Sequence, residues 1–163
     1  MIRINLAEEL KLYNLEGKWN DYIGAQKEIL QVLRKELFFD SSNVVNKESG
    51  LLVKISSKGI RETIGNGNRF QILPQKLKQY KIATIRYLPE LIETGYVICA
   101  NMENSHDKTG YRYAYIGNKV CIDNEEVGIR ISIKKKIDTN HFWIHNVDTN
   151  KNSELLSPFI KRS

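Results

Sequence analysis

The chain has 163 residues, 41% of them hydrophobic and 27% charged, with 25 Lys and Arg against 19 Asp and Glu for a formal net charge of +6. That length suits one domain with a sizeable core that needs no staples, and the composition excludes a disordered chain and a disulfide scaffold. The positive charge suits an anionic partner such as nucleic acid or a membrane surface.

In chain order, residues 2–6 read as a short strand and residues 7–13 as a short helix. A longer helix follows from a cap at Asn20 or Asp21 to about Phe38, because Ile23, Leu30, Leu33 and Leu37 recur at helical spacing with Lys27, Glu28, Arg34 and Lys35 outside. The polar residues 40–50 predict a loop and a boundary, giving an N-terminal helical extension (1–45), a main α+β domain (46–148) and a loosely ordered tail (149–163). Leu51, Val53 and Ile55 alternate with polar neighbours and open the main sheet, with Lys54 and Ser56 turned from the core. Residues 57–68, carrying Ser57, Lys58, Arg61 and three glycines, predict a basic loop whose backbone N–H groups can meet phosphate. Pro74 opens a helix to about Arg86, and a second helix runs from Leu88-Pro89 to Gly95.

Residues 96–100 predict a strand, and His106 sits in a polar loop that follows it. Residues 111–122 form a long aromatic strand with a bulge expected at Gly117-Asn118, turned by Asp123-Asn124 into a hairpin partner over 127–137. A last strand spans residues 141–147. Val127, Ile129, Ile131 and Ile133 share one face with Phe142 and Ile144 across the pair, so Arg130, Ser132, Lys134, His141 and His145 gather on the other. A cation, a hydroxyl and a titratable base on one rigid surface suit phosphate chemistry.

Each residue also has a plainer reading. His145 can pack beside Trp143, Arg130 can pair with Glu125 or Glu126, the three lysines 134–136 can be a solvated strand end, and Tyr111, Tyr113 and Tyr115 can serve packing as well as base stacking. Cys99 and Cys121 lack any metal-site spacing and read as reduced residues of a cytoplasmic protein, and no segment has the length of a membrane span. The H-E-x-x-H, C-x-x-C and G-x-S-x-G patterns are missing, so no metal and no cofactor is expected.

The stretch Asn46-Lys47-Glu48-Ser49-Gly50, the run through Lys58-Gly59-Ile60, the helical Tyr87-Leu88-Pro89-Glu90-Leu91-Ile92 and the closing aromatic and histidine strand follow one another in an order that resembles the barnase/EndoU/colicin-D/RelE-like nuclease superfamily, in its phage and polyvalent-protein-associated branch. The resemblance covers residues 46–148. It implies N-terminal helices packed on an antiparallel sheet of about four strands, and a metal-independent endoribonuclease, a toxin or phage effector that cleaves RNA, tRNA included, through the ribose 2′-OH. Carried over by position, His145 moves the proton, Arg130 and Lys58 stabilise the phosphorane and Ser57 orients the phosphate. Arg61, Lys134, His141, Lys54 and Tyr113 bind the substrate, and an immunity or antitoxin protein is an expected partner. The alternative is a catalytically inactive RNA- or protein-binding module, such as an inhibitor of a host system.

Overall fold

The computed structural model describes residues 1–15, 22–37, 43–64, 73–102 and 110–150. The expected loop histidine His106, the glycines Gly65 and Gly67 and the tail beyond Asn150 lie outside those residues. In chain order the described residues form β1 (Ile2–Ile4), α1 (Leu6–Leu12), α2 (Tyr22–Leu37), β2 (Asn43–Val45), β3 (Leu52–Lys54), α3 (Ser57–Ile64), α4 (Gln75–Ile85), α5 (Leu88–Thr94), β4 (Tyr96–Met102), β5 (Tyr111–Ile122), β6 (Glu125–Lys136) and β7 (Phe142–Asn150).

The centre of the sheet is the β5–β6 hairpin. Asp123 and Asn124 both take positive φ, 48° and 67°, which is the backbone a tight two-residue hairpin turn requires and which Asp and Asn tolerate. From that turn the register runs without interruption from Ile122↔Glu125 to Tyr111↔Lys136. The bulge expected at Gly117-Asn118 is therefore absent from this pair; the irregularities of β5 lie on its other side, where it meets β4 between Val97 and Met102.

The expected antiparallel sheet of about four strands is overturned. The strands form one seven-stranded mixed sheet in the order β1-β5-β6-β7-β3-β2, with β4 also on β5. Two of the pairings are parallel, β1 with β5 and β3 with β7. The β5 strand carries β4 along Tyr113–Gly117 and β1 along Val120–Ile122 on one edge, and β6 along the whole of the other. Strands β1 and β3 fall within the expected strands at residues 2–6 and 51–56, but their parallel pairing is unexpected, and β2, three residues long, is too short for alternation to be seen in sequence. Two loop expectations change with them: residues 40–50 contain β2, and residues 57–64 are a helix.

One side of the sheet holds the core. Ala114, Ile116, Val120 and Ile122 of β5 face it with Val127, Ile129, Ile131 and Ile133 of β6, all fully buried. Helix α5 lies over β5, and α4 packs on α1, α3 and β7, contributing Ile82, Ala83 and Ile85. The first segment is tied in by charge as well as by β1: buried Glu9 of α1 meets Arg86, and Tyr87 Oη donates to Glu9 Oε1 at 2.6 Å. Cys99 and Cys121 are free and half-buried.

Candidate active site

On β7 the two faces exchange parity. Ser132 pairs with Asn146 and Ile133 with Ile144, so His145 is an extra residue with no partner on β6, a β-bulge. Phe142 and Ile144 before the bulge face the core, and Val147 and Thr149 do so after it. Asn146 and Asp148 therefore join Trp143 on the face that also carries Ser132 and Arg130. The sheet curls enough for Tyr113 of β5 and His145 of β7 to meet across β6, edge to face with ring centroids 5.7 Å apart.

Beyond β3 the free edge of β7 is covered by α3. Ser56 caps that helix, its Oγ accepting from Gly59 N at 3.0 Å, while Ile60, Thr63 and Ile64 are buried beneath it. Gly59 sits directly against the strand, where an added Cβ would lie 2.4 Å from the Ile144 carbonyl oxygen. This close docking brings Glu62, on the polar side of α3, to His145: Oε2 lies 3.3 Å from Nδ1. The His145 side chain is about a third exposed and that of Glu62 about a quarter.

A cavity of about 560 Å³ opens between the N-terminus of α3 and the far end of the β6–β7 pair. Ser57, Lys58, Gly59 and Glu62 line it from the helix, Lys134, Lys135 and Lys136 from β6, and Tyr111, His141 and Trp143 from the strand ends. Four lysines against one glutamate give it a positive interior, and the helix N-terminus adds its partial positive charge. Several cations are held over rings: Lys54 Nζ is 5.4 Å from the Trp143 ring centre, Lys134 Nζ 5.5 Å from Tyr111. His141 stands edge-on to Trp143 at 5.2 Å.

Of the expected residues, Ser57, Lys58, Lys134 and His141 are brought together on this cavity. Lys54 borders it through Trp143, and His145 through Glu62. Arg61 bonds back to Ser57, from Nη2 to Oγ at 3.1 Å. Tyr113 is 3% exposed, so its ring offers no open face for a base. Arg130 lies further along the sheet, stacked 5.0 Å over Tyr115 with Nη2 3.4 Å from Asp148 Oδ2. Its partner is thus Asp148, and not Glu125 or Glu126. Glu62 is missed by sequence reasoning, although the four-residue spacing of Ile60 and Ile64 behind the capping Ser56 signals a helix that would present it.

A family model, that of the large polyvalent protein-associated domain 3, matches residues 20–145, and the chain belongs to that family. No curated protein and no solved structure matches it. Among the described residues no helix is long and apolar enough to cross a membrane.

Proposed function

For this large polyvalent protein-associated domain, we propose the activity of a metal-independent endoribonuclease, a distant member of the barnase/EndoU/colicin-D/RelE-like superfamily that acts as a toxin or phage effector on RNA in the cytoplasm. The observation that carries the reading is the His145–Glu62 pair, whose carboxylate lines a lysine-ringed cavity. Its volume falls within the range of about 300–1,000 Å³ usual for small-molecule sites, room for a nucleotide. Tyr111, His141 and Trp143 offer aromatic surface to bases.

In this reading His145 transfers the proton. The Glu62 carboxylate, 3.3 Å from Nδ1, stabilises the imidazolium by its charge as it forms. The 2′-oxygen bonds to phosphorus, the bond to the 5′-oxygen breaks, and the proton taken from the 2′-OH passes to the departing oxygen. The products are a 2′,3′-cyclic phosphate and a 5′-hydroxyl. Charge on the phosphorane falls to Lys58 and Lys134, with Ser57 and the first turn of α3 orienting the phosphate. Arg130, engaged by Asp148 and Tyr115, serves the RNA backbone beyond the scissile bond.

Incubation of the protein with total RNA in EDTA, with the ends mapped, tests this. Cleavage leaving cyclic phosphates, reduced about a hundredfold or more by His145→Gln and by Glu62→Gln, is the expected result. Intact RNA, or cleavage that chelator abolishes, would sink the mechanism, and RNA bound tightly without turnover would make the domain an inactive binding module instead. Expression tolerated only beside an immunity protein fits the toxin reading.

A further inference from the structure

Glu62 and His145 belong to elements far apart in sequence, and a bulged residue lacks a ladder partner to fix its direction. One buried cation joins the residues that follow each of them. Lys81 of α4 is only 4% exposed, and its Nζ donates to the Thr63 carbonyl at 3.1 Å and to Asn146 Oδ1 at 3.2 Å. Thr63 is next to Glu62 on α3, and Asn146 is next to His145 on β7. We propose that Lys81 is a positioning residue, a clamp that holds α3 to β7 so that Glu62 stays within reach of His145; its catalytic meaning rests on the ribonuclease reading above.

Packing alone does not account for a lysine here. An ammonium deprived of water must be compensated by its acceptors, and a methionine of similar length would fill the space at no electrostatic cost. Among its acceptors are a carbonyl in the last turn of α3, where a cation also complements the helix dipole, and the side chain beside the bulge. Between them they fix the strand and the helix at the level where the pair meets.

The test reads the imidazole of His145 in long-range 1H–15N spectra of the whole protein, with Glu62→Gln marking the position of the Nδ1 resonance when the carboxylate is gone. Lys81→Met should move that resonance toward the Glu62→Gln position, and adding Glu62→Gln to Lys81→Met should move it little further. A folded Lys81→Met protein with the wild-type Nδ1 resonance, or full additivity of the two changes, overturns the clamp. Should Lys81→Met fail to fold, Asn146→Ala removes one anchor at a half-buried position and decides the matter the same way: a moved resonance supports the clamp, an unmoved one overturns it. No RNA is involved in this readout. A protein inert toward RNA but with the coupled shifts would discard the ribonuclease reading and keep the clamp.

Discussion

The close approach of Gly59 to the Ile144 carbonyl sets how tightly α3 docks on β7, and Gly59→Ala measures it. The added Cβ would lie 2.4 Å from that oxygen and 3.2 Å from the carbonyl carbon, both backbone atoms that cannot turn aside. Overpacking of this kind costs about 3 kcal/mol at the upper end of its usual range. Alanine regains about 1 kcal/mol over glycine within a helix. The net loss is about 2 kcal/mol, which for a chain of this size lowers Tm by roughly 4–8 °C. Thermal unfolding followed by circular dichroism reads it, with Lys58→Ala on the same helix as the control. Because α3 must lift from the strand to accommodate the methyl, RNA cleavage should fall as well. A Gly59→Ala protein as stable as wild type, or more so, would show that propensity outweighs steric overlap here and would refute the docking argument.

Ser56→Ala removes the cap of α3 and should lower stability by about 1 kcal/mol, seen as a fall of roughly 2–4 °C in Tm. Lys58→Ala combined with Lys134→Ala should weaken RNA binding and flatten the dependence of log Kd on log salt by about one unit for each phosphate that is no longer neutralised, whereas Lys27→Ala on the outer side of α2 should leave that slope unchanged. Burial raises the Tyr96 phenol above its ordinary value, against a smaller opposing pull from the Lys119 cation. Above pH 10 the unfolded chain ionises this group while the folded one retains its proton, so stability declines as pH rises from there. Urea unfolding across pH 9–11 should show a shallower decline in Tyr96→Phe.

The long elements were legible in the sequence because each satisfies its period over many residues. Leu30 and Leu33 mark α2, and the alternation from Val127 to Ile133 marks β6. The turn at Asp123-Asn124 was legible from residue chemistry. The remainder was hidden for physical reasons. Strands β1 and β3 are expected as strands, but their parallel pairing with β5 and β7 is a long-range fact that a few residues do not encode. At His145 one inserted residue exchanges the faces of β7, so continued alternation from Phe142 assigns Asn146 to the core and Val147 to solvent, the reverse of what is found. That same exchange places Asp148 against Arg130. Glycines and basic residues after Ser57 masked α3, and with it Glu62, since a short helix stabilised by docking has little propensity of its own to display.

The stretch that opens the family resemblance, residues 46–50, acts on structure and lies apart from the cavity. Asn46 is fully buried, and its Nδ2 donates at 2.8 Å to the carbonyls of Ile92 and Gly95 at the end of α5, while Oδ1 accepts from Ser49 N and Ser49 Oγ. Lys47 N donates to the Glu93 carbonyl, and Val97 N, at the start of β4, donates to Glu48 Oε1. One side chain thus satisfies the C-terminal carbonyls of α5 and folds the β2–β3 turn against them. Asn46→Ala leaves two buried carbonyls without this donor, and at about 1–3 kcal/mol for each unsatisfied group the loss is about 3 kcal/mol, or roughly 6–12 °C in Tm. Asn46→Asp should cost more, because it turns a carboxylate oxygen toward those carbonyls. RNA affinity measured below the transition should be unchanged in Asn46→Ala. Unaltered unfolding would remove the structural account of the motif, and a selective loss of RNA binding in a fully stable protein would place Asn46 in the interface instead.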